Sequence, residues 1–239
     1  MTEHNATNTA PVAVITGAGR GLGRALAATL SSRGWRVLID ARRADELTAA
    51  ADEIGNATPV PGDVTDAAHR EALIAAAEIF GRIDLLVNNA SDLGPAPLPH
   101  LADYPLDGLR RVLETDVVAP LALTKLVLPA LRQSAGIVLN ISSDAAVEAY
   151  EGWGGYGAAK AALDHLSRVL GEEEPTIRVY AVDPGDMRTE MHQNAFPGED
   201  ISDRPEPATV VPALLRFIDE RPPSGRYRAA EWVVAEAAS

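Results

Sequence analysis

The segment GGYGAAKAAL places Tyr156 and Lys160 four residues apart in a helical pattern. That spacing sets both side chains on one face of a helix, one turn apart. A free phenol has a pKa of about 10. A neighbouring ammonium favours the phenolate and lowers that value. A tyrosine tuned in this way can give or take a proton near neutral pH. Alone, the pair fits an ordinary surface contact as well. Ser143 adds weight, because it closes an apolar run thirteen residues before Tyr156. Its hydroxyl could hold a carbonyl or alcohol oxygen beside the phenol. Ser142 is the alternative choice.

A second constellation lies near the start. TGAGRGLG follows the first apolar run and opens a helical stretch, with Gly17, Gly21 and Gly23 in the turn. Glycines let the backbone approach a pyrophosphate, and the helix N-terminus supplies free N–H groups. A plain strand-to-helix turn would read similarly, but the first strand–helix junction favours a nucleotide. The spacing is wider than G-x-G-x-x-G, and the lysine of a phosphate loop is missing. Further on, VLIDARR offers both an acid, Asp40, and arginines. An acid in that turn favours a free ribose hydroxyl, whereas an arginine favours a phosphate.

Other chemistries find little support. The chain has no cysteine, so disulfides, thiol nucleophiles and Cys-ligated metals are excluded. His69, His100, His165 and His192 are scattered without metal-ligand spacing, and no metal is expected. No histidine lies near either serine in sequence, so a hydrolase triad is unsupported.

These residues need elements to position them. Six β-branched runs, at 12–16, 35–40, 58–61, 84–89, 136–142 and 177–183, alternate with alanine- and leucine-rich helical stretches. The stretches fall near 21–32, 44–54, 66–80, 100–132, 154–170 and 207–220, and a weaker strand follows at 225–230. Continuous apolar runs indicate strands buried on both faces. The alternation predicts an α/β fold, a doubly wound parallel sheet of about seven strands with helices on each side. Pro- and Gly-rich patches at 94–99, 184–206 and 221–225 read as loops. The 239 residues are expected to form a polar, flexible tail over 1–10 and one Rossmann-type domain over 11–239. In such a sheet the ligand lies at the carboxyl ends of the strands.

The net charge of −13 speaks against nucleic acid and anionic membranes. No apolar run is long enough to span a bilayer, and the N-terminus lacks signal-peptide character. The expected location is the cytoplasm. Arg20, Arg24, Arg42 and Arg43 stand out as a local basic cluster in an acidic chain.

Taken in order, these motifs resemble the short-chain dehydrogenase/reductase family in its single-domain form, over roughly residues 11–230. TGAGRGLG resembles the family's cofactor loop, with Gly17, Gly19, Arg20, Gly21 and Leu22. GDVTD, with Asp63 and Val64, resembles its adenine-binding turn. NNAS resembles its NNAG motif, giving Asn89, Ala90 and Ser91. The set Ser143, Tyr156 and Lys160 matches its catalytic residues. DPGDMRT, with Pro184, Gly185, Met187 and Thr189, resembles its PG motif, whose Thr189 would meet the nicotinamide carboxamide.

The resemblance implies hydride transfer between a nicotinamide cofactor and a small carbonyl or alcohol substrate. Tyr156 would be the acid/base. Lys160 would lower its pKa and hold the nicotinamide ribose, while Ser143 would orient the substrate oxygen. The family register puts Ala41 at the ribose-binding position, Asp40 one short of it, and Arg42 where NADP-preferring members are basic. Arg42 would then clamp a 2′-phosphate, with Arg20 in reach of it, and NADP(H) is expected over NAD(H). Asp40 would end the strand by tying down the turn or pairing with an arginine. The rival readings are an NAD-dependent alcohol dehydrogenase and a nucleotide-binding regulator without catalysis.

One position departs from the family. ETDVVAP carries Asp116 where many members have asparagine, which can add a negative charge near Lys160. Leu93, Tyr150, Trp153, Met191, His192 and Phe196 are candidate substrate contacts, and a substrate loop is expected over about 186–206. Asp92, Asp144, Glu148, Glu151, Asp186 and Glu190 would make the site mouth acidic. That raises the option of a cationic substrate against plain solvated loops. The resemblance also implies a homodimer or homotetramer.

Overall fold

In the computed structural model, residues 10–233 are described; residues 1–9 of the expected tail, and 234–239, lie outside them. Seven strands form one parallel sheet: β1 (Val12–Ile15), β2 (Arg36–Ala41), β3 (Ala57–Pro61), β4 (Leu85–Asn88), β5 (Ile137–Ile141), β6 (Arg178–Asp183) and β7 (Gly225–Arg228). Their order across the sheet is β3-β2-β1-β4-β5-β6-β7. Both faces of the sheet are covered. Ala13 and Ile15 point into one apolar cluster and Val12 and Val14 into the other, all fully buried. Period-two alternation thus gives each face its own core, which is why the sequence shows unbroken apolar runs.

One face is packed by α1 (Gly21–Ser32), α2 (Ala44–Ile54) and α8 (Val211–Glu220), through Leu26, Leu30, Leu47 and Phe217. On the other lie α3 (Ala67–Glu78) and α5 (Ala119–Ser134), through Leu73, Leu123, Val127 and Leu131. Burying a side chain of this size contributes about 1.5–3 kcal/mol. Chain order reverses between β1 and β4, so the connections leave in opposite directions and open a crevice there.

Two expectations need correction. The helix expected over 100–132 is divided. Pro105, which lacks an N–H, precedes α4 (Leu106–Leu113); a π-helical turn over Glu114–Val118 then leads into α5. That turn carries Asp116 into the interior, where it is fully buried. The loop expected over 184–206 contains a short helix, α7 (Glu190–Ala195), because Thr189 caps it by accepting the His192 N–H at 3.1 Å.

Candidate functional site

The carboxyl ends of the strands enclose one cleft of about 1080 Å³. At its nucleotide end the TGAGRGLG turn runs from β1 into α1. Gly17 and Gly21 have φ of 65° and 58°, which side chains rarely adopt. A Cβ on Gly17 would stand 2.8 Å from the Ala90 backbone. The neighbouring NNAS turn braces this loop, with the Asn89 amide donating to the carbonyls of Thr16 (2.8 Å) and Gly17 (3.1 Å). By contrast, a Cβ on Gly21 would meet nothing closer than Thr189 Cγ2 at 3.7 Å. The loop is therefore packed behind and open in front, which fits a pyrophosphate against the α1 N-terminus.

Asp40 is the last residue but one of β2, which ends at Ala41, and among the described residues it pairs with no arginine. Its Oδ1 accepts the Gly17 N–H at 2.7 Å, and its Oδ2 lies 3.0 Å from His69 Nε2. Both residues are buried, and burial raises the Asp40 pKa against the pull of His69. Asp40, at the margin of the cleft, is thus held by the glycine turn and His69. His69 escaped the sequence reading: it lies 29 residues from Asp40, with no motif to link them.

The basic cluster divides. Arg24 pairs with Glu53, and Arg20 pairs with Glu190 of α7. Arg43 lies 2.5 Å from Glu46 and 3.4 Å from Glu190. Among the described residues Arg42 alone of the four makes no ion pair, and it lines the cleft beside Ala41 and Asp63. Arg20 lines the cleft, and a phosphate there would compete with Glu190 for it.

Tyr156 and Lys160 project from α6 (Gly154–Glu173) at the other end of the cleft. The Lys160 ammonium lies 5.4 Å from the centre of the Tyr156 ring and donates to the Ile141 carbonyl at 3.0 Å. Lys160 does favour the phenolate, as expected, but burial outweighs it, and Asp116 adds to the burial effect. The Tyr156 pKa therefore stands above its ordinary value, not below. Asp116 Oδ1 is 3.8 Å from Lys160 Nζ and accepts the Asp92 N–H at 3.1 Å. Burial raises its pKa, against the attraction of Lys160. Ser143 faces the same space. Its hydroxyl donates to Asp144 Oδ1 at 3.0 Å and accepts the Ala145 N–H at 3.1 Å.

The cofactor positions expected from sequence, from Gly17 to Thr189, all line this cleft. Asp116 sits behind it. Of the candidate substrate contacts, Leu93, Trp153, Met191 and His192 line the cleft; Tyr150 and Phe196 do not. Tyr150 turns its hydroxyl to Asp144 Oδ2 at 2.9 Å. Phe196 forms a second layer, with its ring centre 4.9 Å from His192 and 6.0 Å from Trp153. The acidic mouth is largely occupied from within. Asp92 pairs with Arg111 at 2.7 Å, Glu151 with His100 at 2.9 Å, and Glu190 with two arginines.

Comparison with known proteins agrees with this architecture. Residues 11–200 match the family described as short chain dehydrogenase. The chain is 39% identical over 183 residues to a serine 3-dehydrogenase of Agrobacterium fabrum, covering 74% of this chain and 72% of the relative. It is 36% identical over 201 residues to sepiapterin reductase of Mus musculus, covering 77% of each. Among solved structures, a short chain dehydrogenase of Shigella flexneri complexed with NADP superposes with a TM-score of 0.86. That match has 27% identity and covers 92% of this chain and 97% of the other. With its crevice, its glycine turn and its paired tyrosine and lysine, the chain belongs to the short-chain dehydrogenase/reductase family of oxidoreductases, which act on alcohol and carbonyl groups.

Proposed function

We propose that the protein is an NADP(H)-dependent reductase of small ketones or aldehydes. The observation that carries this reading is the arrangement along one cleft. Ser143, Tyr156 and Lys160 stand at one end, and an unpaired Arg42 stands at the other. Arg42 would clamp the 2′-phosphate, Ala41 would leave room for it, and Asp40 already serves the Gly17 N–H and His69. The NADP complex of the structural relative supports the same cofactor.

When bound, the nicotinamide supplies the hydride, and the chain's residues supply the rest. Ser143 holds the substrate oxygen. Tyr156 donates its phenolic proton to that oxygen as negative charge develops on it. A phenol whose pKa is held up by burial is protonated at neutral pH, which suits an acid in the reducing direction. Lys160 stabilises the phenolate left behind, and Asp116 offsets part of its effect on the phenol. Thr189 would meet the nicotinamide carboxamide, and the glycine turn would hold the pyrophosphate.

Two variants test the reading against a panel of carbonyl compounds with NADPH and NADH, followed by absorbance. Tyr156→Phe should lower kcat by about 10²- to 10⁴-fold with the protein still folded. Arg42→Ala should weaken NADPH far more than NADH. A Tyr156→Phe protein as fast as wild type would overturn the mechanism. An equal loss for both cofactors would show that Arg42 does not read the phosphate.

A further inference from the structure

Tyr156 and Lys160 share their helix face with a third residue, one turn further on. Asp164 is buried, and its Oδ1 accepts the Ser142 hydroxyl at 2.5 Å. The face therefore reads Tyr156, Lys160, Asp164, four residues apart each time. Lys160 holds the Ile141 carbonyl and Asp164 the Ser142 hydroxyl, so α6 grips two consecutive residues of the strand that delivers Ser143. A residue from the edge strand, one strand beyond β6, grips the next. Arg226 of β7 donates through Nε to Asp164 Oδ2 at 2.7 Å and through a terminal nitrogen to the Ser143 carbonyl at 3.0 Å. The same nitrogen lies 3.9 Å from Asp183 Oδ2, and Asp183 accepts the Gly185 N–H at 2.9 Å.

We propose that Asp164 and Arg226 are positioning residues for hydride transfer, fixing the backbone of residues 142 and 143 so that the Ser143 hydroxyl stays in register with Tyr156. This rests on the role of Ser143 given above. A guanidinium suits the task because its planar fork serves a carboxylate and a carbonyl at once, which a single ammonium cannot do in the same geometry. A purely structural ion pair would need no bond to the Ser143 carbonyl. Through Asp183 the same arginine ties the serine segment to the turn at Gly185, on the cofactor side of the cleft. Arg228 approaches Asp183 at 3.8 Å from the exposed side and leaves the Ser143 carbonyl to Arg226.

The experiment compares Arg226→Lys, Arg226→Met and the double variant Asp164→Leu/Arg226→Met with wild type. It measures kcat and KM for the best ketone of a panel, NADPH affinity by fluorescence, and Tm. Arg226→Lys should bind NADPH within twofold of wild type and lose kcat by about 10- to 100-fold, the scale of a small misplacement at a reacting centre. The double variant replaces the pair, a buried Asp164 and a part-buried Arg226, with apolar groups and should regain Tm lost by Arg226→Met. It should not regain kcat. Wild-type kcat in folded Arg226→Lys, or kcat that returns with Tm in the double variant, would overturn the proposal. Should Arg226→Met not fold, Arg226→Lys decides by itself. A wild-type protein that reduces no carbonyl compound would instead sink the reductase reading, and this proposal with it.

Discussion

Two buried carboxylates stand at opposite ends of the cleft, and they are used differently. Asp40, at the nucleotide end, gives one oxygen to the Gly17 N–H and sets the other against His69. Asp116, at the catalytic end, accepts the Asp92 N–H and faces the Lys160 ammonium across 3.8 Å. Burial raises the pKa of each. The first is a strut: its partners are a backbone amide and a ring that take no part in the proposed chemistry. The second acts on Tyr156, the phenol proposed to transfer the proton. Identical side chains, equally desolvated, thus set loop geometry in one place and tune a pKa in the other.

The comparison breaks most readily at Asp40. Asp40→Ala leaves the Gly17 N–H and the His69 ring without their acceptor in a dry environment. An orphaned buried polar group costs about 1–3 kcal/mol, so the variant should lose about 2–4 kcal/mol. It should also lose most of its cofactor affinity, because Gly17 sets the path of the loop. Urea unfolding followed by cofactor titration measures both. Wild-type stability would show that Asp40 is no strut.

Asp116→Asn should barely change the shape and should change the titration. An ionised Asp116 raises the Tyr156 pKa, so its removal lets the phenol ionise more easily. The midpoint of the pH–rate profile for alcohol oxidation, where Tyr156 acts as base, should move to lower pH. An unmoved profile would mean that Asp116 carries no charge in the working enzyme. Stability supplies a second check. The folded-state pKa of Asp116 lies above the usual 3.8. Between those two values the folded chain binds more protons than the unfolded chain, so this group's contribution falls as pH rises through the window. The asparagine variant should show a flatter slope there.

The two ends were not equally legible in sequence. The seven strands follow from apolar runs, and a parallel sheet delivers its ligand site at one edge; most of the lining residues, Asp63, Asn89 and Thr189 among them, followed from the family resemblance. Tyr156, Lys160 and Ser143 could be found because helix and strand periods fix where they point. The Asp40–His69 pair could not, because it joins β2 to α3 through packing alone. Arg226 was hidden for a similar reason: it lies in the weakest strand, 83 residues from the carbonyl it holds. Asp164 carried a signal in its four-residue spacing from Lys160, but spacing says nothing of what the side chain meets. The division of the 100–132 helix was marked by Pro105. The π-helical turn had no such marker.

Glu190 joins the two ends, and the effect expected there is the smallest. It leaves the first turn of α7 and reaches Arg20 and Arg43, at the end of the cleft where Arg42 is proposed to bind a phosphate. A carboxylate and a phosphate compete for the same guanidinium groups. All three side chains are about half exposed, so each pair contributes about 0.2–1 kcal/mol. Glu190→Gln should therefore tighten NADPH by a few-fold and leave NADH nearly unchanged, since only the former carries the competing charge. Because the pairs face solvent, the gain should shrink as salt is raised. Titration of both cofactors at low and high ionic strength checks this. An equal gain for NADH would place the effect in the movement of α7, and the nucleotide end would then owe its cofactor preference to Arg42 alone.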